Sequence, residues 1–203
     1  MYVVFVTGGL ASGKRTACEF MADHGATLLD LDAIAKEEQE NPLILTALME
    51  EFGDDLVNRE GELNRRLLAE RAFASPERGR KLNEICWPPV IERVADLLIG
   101  GSCQPRLNSD FIVVEIPLLV ESSKLIEMAD EIITVEVDEN IRLQRAVERG
   151  MDTEDAINRM ALQATDDERR KIATHVFDNN GTREELKQQV DDWYSHLRTE
   201  RMF

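Results

Sequence analysis

A glycine-rich segment near the start of the chain has the spacing of a phosphate-binding loop. Gly8, Gly13 and Lys14 fit the pattern G-x-x-x-x-G-K and directly follow the apolar, β-branched run at residues 3–6. Glycines at these positions let successive backbone N–H groups point inward at phosphate oxygens, and the helix that follows adds its positive N-terminus. A lysine at the end of the motif reaches the β- and γ-phosphates. The segment therefore predicts a binding site for a nucleoside triphosphate.

The residue after Lys14 departs from this motif. A Ser or Thr normally stands there, because its hydroxyl ligates Mg²⁺, but this chain has Arg15. A guanidinium carries no acceptor and cannot ligate a cation. Thr16 is the next residue, but one helical step turns a side chain by about 100°, so Thr16 is not a simple replacement. The predicted nucleotide contacts are Gly8, Gly9, Leu10, Ala11, Ser12, Gly13, Lys14, Arg15 and Thr16, with no certain protein ligand for the metal.

Two aspartates follow the second apolar run of the chain, which covers residues 27–29. Asp30 and Asp32 are separated by one residue, and if this strand lies beside the first one, both face the phosphate loop. A carboxylate there can accept a proton from an attacking hydroxyl or hold a water molecule of Mg²⁺. We predict this role for Asp30. Asp32 either serves the substrate or only caps the next helix.

Two arginines follow the fourth apolar run of the chain. Arg145 and Arg149 are four residues apart, so they lie on one face of a helix predicted at residues 140–150. Arginines that close over the γ-phosphate stabilise the charge of the transition state and exclude water. The alternative is a solvated basic face that pairs with Glu139 or Glu148. We predict a catalytic lid at about residues 142–165.

The order of the elements predicts an α/β fold. Buried strands are expected at residues 3–6, 27–29, 111–116, 131–137 and 175–177, and helices alternate with them. Such alternation predicts a parallel sheet of about five strands that is covered on both faces. Ligands of an open parallel sheet bind beyond the carboxyl ends of its strands. The loop, the aspartates and the arginines all follow predicted strands.

The stretch between the second and third strands reads as helical only. Helices are expected at residues 33–40 and 42–51, and again from 64 to 99, where Ser75-Pro76 and Pro88-Pro89 interrupt the pattern. A polar loop at residues 52–63 separates these two parts. We therefore predict an inserted helical sub-domain at about residues 53–104, within a single domain that spans residues 1–203.

Composition and charge exclude several classes of function. The 203 residues include 43% hydrophobic residues, enough for a core, and carry a formal net charge of −16. Such an acidic surface repels nucleic-acid backbones and anionic membranes. No apolar run approaches a membrane span, and no basic segment precedes the first strand, so we expect a cytoplasmic protein. The cysteines at positions 18, 86 and 103 lie far apart, which excludes a disulfide framework or a zinc site.

The chain resembles the dephospho-coenzyme A kinase family over nearly its whole length. The family's loop TGGIGSGKST is TGGLASGKRT at residues 7–16, and its D-A-D-x-I-A-R is DLDAIAK at residues 30–36. The remaining matches are Phe52-Gly53, the segment EGELNR at residues 60–65, PLLVE at residues 117–121, the set Arg145, Arg149 and Gln163, and DNNG at residues 178–181. The whole set in this order is far more specific than the loop alone.

This resemblance implies a P-loop NTPase three-layer fold and a definite reaction. The enzyme would transfer the γ-phosphoryl group of ATP, with Mg²⁺, to the ribose 3′-hydroxyl of dephospho-coenzyme A, which is the last step of coenzyme A biosynthesis. The resemblance assigns Lys14, Asp30, Arg145 and Arg149 to catalysis and Asn179 to the nucleotide. It assigns the acceptor substrate to Asp32, Arg65, Pro117 and Leu118.

The departures from the family pattern fall at functional positions. Arg15 replaces a Ser, Ala11 a Gly, Trp87 the His of an H-P pair, and Lys36 an Arg. Two alternatives therefore stand beside an active kinase. Arg15 favours a degenerate member that binds ATP or a coenzyme A-like ligand without efficient turnover. Trp87 and Lys36 favour a related small-molecule kinase with a shifted acceptor.

Overall fold

A computed structural model describes residues 1–100, 107–116 and 126–201 of the chain. Its centre is a parallel sheet of five strands in the order β2-β3-β1-β4-β5. The strands are β1 (Tyr2–Gly8), β2 (Thr27–Asp30), β3 (Phe111–Glu115), β4 (Glu131–Glu136) and β5 (His175–Asp178). Every residue of β1 is buried, as expected for an unalternated apolar strand inside a parallel sheet. The predicted α/β fold with a sheet of about five parallel strands is confirmed.

The second strand does not lie beside the first, contrary to the condition set for the aspartate pair. β3 lies between them, with Glu115 opposite Asp30 on one side and opposite Val6 on the other. The carboxyl end of β2 is therefore separated from β1 by one strand spacing more than was assumed, about 5 Å. Glu115 is the acidic residue that this order places between Asp30 and the end of β1.

The chain divides into two compact units. The first comprises Met1–Asp30 with Asn108–Phe203, and the second is Leu31–Leu107. The first contains the sheet and α1 (Lys14–Asp23), α6 (Glu139–Glu148), α7 (Thr153–Ala161), α8 (Asp166–Ile172) and α9 (Arg183–Arg201). The second contains α2 (Leu31–Glu38), α3 (Pro42–Phe52), α4 (Arg65–Ala72) and α5 (Pro76–Ile99).

Alternate residues of the strands form the main core of the first unit. Tyr2, Val4 and Val6 of β1 pack in one cluster with Ile133 and Val135 of β4, because side chains two apart lie on the same face of a strand. Helices α1 and α9 close this face, and their buried residues in the cluster include Ala17, Met21, Leu186, Val190 and Trp193. The sheet thus holds the turn after β1 on a rigid base.

Trp193 is the aromatic centre of this core. Its ring lies 6.2 Å from that of Phe177 and 6.3 Å from that of Phe111. The indole N–H is satisfied, because Nε1 donates a hydrogen bond to Oε1 of Glu131 at 3.0 Å. A buried indole normally finds such a partner.

The helical unit has a core of its own. Its buried residues are Leu48, Phe52, Leu56, Leu68, Ala72 and Cys86. The helix starts follow standard rules, since the side chains of Asn41, Asn64 and Ser75 cap α3, α4 and α5, with Pro42 and Pro76 at the first turns. Within the described residues this unit contains no β-strand, as predicted, and only an isolated bridge joins Val57 to Leu63.

Two expectations for this region need correction. α5 runs unbroken through Pro88 and Pro89, although each proline removes one backbone donor. Val90, Val94 and Leu98, spaced four residues apart on α5, are all buried, and this packed face favours continuation of the helix. The compact unit also begins at Leu31 rather than near residue 53, because α2 and α3 both pack on α5.

One helix of the first unit was not predicted. α8 is short, with a capping box in which Thr165 and Glu168 satisfy each other's backbone N–H groups.

Trp87, on α5 of the helical unit, is half-buried. Within the described part of the chain, no helix combines the length and apolar character that a membrane crossing requires.

Candidate active site

The turn between β1 and α1 folds around the ammonium group of Lys14. Nζ donates hydrogen bonds to the carbonyl oxygens of Gly8 and Gly9, both at 2.9 Å. The side chain is buried, and the turn is closed by the N–H of Ser12, which donates to the Gly9 oxygen at 3.2 Å. An amine held in this way can exchange loop carbonyls for phosphate oxygens, as the motif requires.

The loop backbone depends on positive φ angles. Gly13 has φ 100° and Ala11 has φ 56°, and Ala11 is the sole non-glycine residue with positive φ among the residues described. A left-handed conformation costs an L-residue with a Cβ about 1–2 kcal/mol. Asn179 supports the turn, because Nδ2 donates to the Ser12 oxygen at 2.7 Å. A Cβ on Gly13 would collide with that same amide nitrogen.

Arg15 lies among carboxylates on one side of the loop. Nη1 is 2.8 Å from Oδ2 of Asp30 and 3.7 Å from Oε2 of Glu115, and Nε is 3.4 Å from Oε1 of Glu19. Burial lowers the pKa of Arg15, but the charges of Asp30 and Glu115, together with the hydrogen bonds to Glu19 and Asp30, outweigh this effect and raise the pKa. The structure therefore brings Asp30 to the phosphate loop, although its strand is not adjacent to β1. We refer to these four residues as the Arg15 cluster.

Arg15 and Asp30 bear on how the loop could hold a metal ion. Within residues 1–100, 107–116 and 126–201, no three His, Cys, Asp or Glu side chains are grouped to hold a metal. The hydroxyl position of the motif is occupied by Arg15, and Asp30 already accepts a hydrogen bond from its guanidinium.

The predicted lid segment packs on the other side of the loop. Ala11 lies in a small apolar cluster with Ala146 of α6 and Ala156 of α7. Beyond α7, Oε1 of Gln163 accepts a hydrogen bond from the backbone N–H of Leu10 at 2.7 Å. Residues 142–165 therefore touch the phosphate loop through both apolar and polar contacts.

The two arginines expected to act together have different surroundings. Nη2 of Arg145 donates to the carbonyl oxygen of Asn179 at 3.1 Å, so this side chain ties α6 to the segment after β5. Arg149 is the residue at which α6 ends, and it is exposed. The structure brings Arg145 near the loop through Asn179, and leaves Arg149 in solvent.

Sequence reasoning missed Arg142, which is the buried arginine of the first turn of α6. Its Nη1 packs against Gly9, where a Cβ would collide with it. Nη2 lies 3.7 Å from Oδ2 of Asp166, whose Oδ1 is 2.5 Å from Nη2 of the buried Arg169. We refer to these three charged residues as the Arg142 cluster. Residues 142, 145 and 149 share a helix face at i, i+3 and i+7, and this spacing was the available signal.

The residues predicted for the acceptor lie in the helical unit or outside the described residues. Asp32 falls in the first turn of α2. Arg65 begins α4 and donates to Oε1 of Gln39 at 2.6 Å and to Oε1 of Glu40 at 2.9 Å. Pro117 and Leu118 lie outside the described residues.

Comparison with known proteins identifies the family. A sequence model of the dephospho-CoA kinase family matches residues 2–185. A dephospho-CoA kinase from Corynebacterium jeikeium is 35% identical over 198 residues, which cover 97% of this chain and 100% of that protein. The chain belongs to the dephospho-CoA kinase family. It is an ATP-dependent kinase, and ATP is its phosphoryl donor.

Solved structures agree with this fold. The crystal structure of TT1252 from Thermus thermophilus aligns with a TM-score of 0.76 at 30% identity and covers 97% of both chains. A dephospho-CoA kinase from Campylobacter jejuni aligns with a TM-score of 0.69 and 98% coverage of both chains; at 24% identity it supports the fold alone.

Proposed function

We propose that this chain transfers the γ-phosphoryl group of ATP to the ribose 3′-hydroxyl of dephospho-coenzyme A. The observation that carries the proposal is the phosphate loop, in which a buried lysine is held by two loop carbonyls, in a chain that matches the family over residues 2–185. Lys14 and the inward backbone N–H groups would bind the phosphates.

In phosphoryl transfer the protein mainly positions the reacting groups and stabilises their charge. Phosphoryl transfer proceeds through a loose transition state, so placement of the groups and electrostatic stabilisation carry most of the rate. As the 3′-oxygen attacks the γ-phosphorus, the bond to the β–γ bridging oxygen breaks and ADP leaves. We assign the hydroxyl proton to Asp30, whose carboxylate lies 2.8 Å from Arg15 and must loosen that ion pair to accept it.

We propose that the reaction uses Mg²⁺, which would neutralise charge on the β- and γ-phosphates when bound. Asp30 is the one residue we assign to it, through a water molecule, because Arg15 stands at the position of the usual hydroxyl ligand. The magnesium requirement therefore depends on how firmly Arg15 holds Asp30.

We assign the acceptor to Asp32, Arg65, Pro117 and Leu118, as the family resemblance implies. Arg65 would bind an anionic group of dephospho-coenzyme A. Its hydrogen bonds to Gln39 and Glu40 hold the guanidinium in one orientation, and a phosphate would have to replace Glu40.

A second function is favoured by one observation. The ion pair between Arg15 and Asp30 occupies the carboxylate that we assign as base. If ATP does not release it, the chain would bind ATP or a coenzyme A-like ligand and turn over slowly.

Absence of nucleic-acid and membrane partners, and location in the cytoplasm, remain predictions from the sequence.

The test is release of ADP in the presence of ATP, Mg²⁺ and dephospho-coenzyme A, with the product identified by mass. We expect coenzyme A to form in equal amount to ADP. Tight ATP binding with no coenzyme A would favour the second function. Faster ADP release with adenosine or another nucleoside than with dephospho-coenzyme A would show a shifted acceptor.

A further inference from the structure

The geometry points to Arg142 as a catalytic residue that binds the γ-phosphoryl group of ATP, a role that rests on the proposed function only in taking ATP as the donor. Arg142 lies in the first turn of α6, directly beside the phosphate loop. Three features carry this assignment, namely its contact with the loop, its burial and the small number of carboxylates near it among the residues that the structure describes.

The contact with the loop is close. The guanidinium of Arg142 packs against Gly9 so tightly that a Cβ at Gly9 would collide with Nη1, and the Cζ atom would lie 3.0 Å from that Cβ. Gly9 directly follows the first glycine of the motif and offers its carbonyl to Lys14 at 2.9 Å. Arg142 and Lys14 therefore approach the same peptide of the loop, and a phosphate held by Lys14 lies within reach of a guanidinium.

Burial gives this guanidinium a reason to bind an anion. Arg142 is 9% exposed and Arg169 is 2% exposed. In both residues Nε is buried and has no hydrogen-bond partner within the described ranges of the chain. Buried cations are unfavourable unless they are paired and hydrogen-bonded. An anion that reaches Arg142 would remove part of this cost, and the triphosphate of ATP is the anion that this loop binds.

The charge around Arg142 is positive on balance, which also favours binding of an anion. The carboxylate of Asp166 lies 2.5 Å from Arg169 but 3.7 Å from Arg142, so its closer partner is Arg169. Glu136, a buried carboxylate of β4, forms a bidentate pair with Arg170. Among the described residues, Asp166 is the sole carboxylate within 4.0 Å of Arg142. The cluster has two buried cations and one anion, which leaves room for a phosphoryl group.

The neighbouring arginines of α6 are less suited to this role. Arg145 donates to the carbonyl oxygen of Asn179, and Arg149 is exposed at the end of the helix. The planar guanidinium of Arg142 can donate to two oxygens of one phosphoryl group. Charge on these oxygens rises in the transition state, so a donor fixed beside them accelerates the chemical step.

The test compares Arg142→Gln and Arg142→Lys with the parent and with Arg198→Gln. Arg198 is an exposed arginine of α9 and serves as the matched control. Glutamine should lower kcat by about 10²- to 10³-fold, as for loss of one transition-state donor. Lysine keeps the charge without the planar fork, so we expect about 10-fold loss. Arg198→Gln should retain the parental rate.

Binding measurements separate this role from a structural one. By calorimetry, Arg142→Gln should weaken a non-hydrolysable ATP analogue by about 10-fold, as expected for one charge-assisted hydrogen bond, and leave ADP within about 2-fold. Equal loss of both ligands, or a parental kcat in a variant that unfolds at the parental temperature, would overturn the assignment. If glutamine prevents folding, the lysine variant decides by the same criteria. The binding comparison needs no acceptor, so it stands even if dephospho-coenzyme A is not the substrate.

Discussion

The phosphate loop has an arginine on each side, and the two differ in how their charge is balanced. Arg15 has 54% of its side chain exposed and lies among Glu19, Asp30 and Glu115. Arg142 is buried and, in the part of the chain that the structure describes, has one carboxylate within 4.0 Å, which it shares with Arg169. Both residues are arginines, but the number of carboxylates near each one determines whether its guanidinium can bind a further anion.

Solvent sharpens this contrast. An exposed ion pair contributes about 0–1 kcal/mol, because water and salt screen it. A buried guanidinium without a full set of partners is unfavourable, and it remains so until an anion arrives. The Arg15 cluster is therefore a set of weak ion pairs that restrains Asp30. The Arg142 cluster contains two buried cations and one carboxylate, so its net charge is positive. Four substitutions test this comparison.

The largest effect should come from Lys14→Ala, which removes the buried ammonium group around which the phosphate loop folds. We expect kcat to fall by about 10³-fold or more and ATP affinity to drop, with the fold intact. Calorimetry, ADP release and a thermal unfolding curve would check this. Lys171→Ala, an exposed lysine of α8, is the control. Unchanged ATP affinity in Lys14→Ala would refute the phosphate-loop assignment itself.

Asp30→Asn tests the Arg15 side. Asparagine can still accept the hydrogen bond from Arg15, but it cannot take up the proton of the 3′-hydroxyl. We expect the rate to fall by about 10²-fold with ATP affinity nearly unchanged. Asp23→Asn, an exposed aspartate at the end of α1, should behave as the parent. A near-parental rate in Asp30→Asn would leave Asp30 as a partner of Arg15 with no role as base.

Arg15→Ser should have a smaller effect and in the opposite direction. It restores the hydroxyl of the motif and releases Asp30 from its ion pair. We expect kcat to rise a few-fold, roughly 1 kcal/mol in the barrier, and the Mg²⁺ concentration for half-maximal rate to fall. Arg15→Lys keeps the charge without a hydroxyl and should show neither change. Coincident magnesium titrations of the serine variant and the parent would remove the support for a degenerate member.

Ala11→Gly should have the smallest effect and concerns the loop between the two sides. Ala11 has φ 56°, which glycine adopts without strain. Relief of about 1–2 kcal/mol of strain is partly offset by the greater freedom of glycine in the unfolded chain. We expect a net gain of about 0.5–1 kcal/mol in the free energy of unfolding. Ala22→Gly, inside α1, should lose about 1 kcal/mol. A loss in both variants would contradict the strain at Ala11.

Much of the fold could be predicted because it depends on local sequence. Buried parallel strands read as apolar runs, and the helix starts at Asn41, Asn64 and Ser75 carry side-chain caps. The break expected at Pro88-Pro89 was wrong, because loss of backbone donors was outweighed by a buried face further along α5. The order of the strands could not be derived from the sequence, because pairing between distant strands leaves no local signal.

The candidate site also has a part that the sequence predicts and a part that depends on tertiary structure. The loop and the position of its lysine follow from the spacing of the motif, and their role in binding ATP stays a prediction. Asp30 was predicted to face the loop, but its ion pair with Arg15 was not predicted. The sequence shows neither the intervening β3 nor the distance that an arginine side chain can span. Arg142 was missed because burial of a charged residue depends on how α6 sits against Gly9, which is a tertiary fact. Its spacing to Arg145 and Arg149 gave only the helix face.

The placement of the two tryptophans has a practical consequence. Trp193 lies in the core of the sheet unit, 7% exposed, and Trp87 is half-buried in α5 of the helical unit. Since the chain has two tryptophans, a single Trp→Phe replacement leaves one intrinsic fluorophore in one unit. The emission of each such variant reports the melting of its own unit, so spectroscopy can show whether the two units unfold together or in turn.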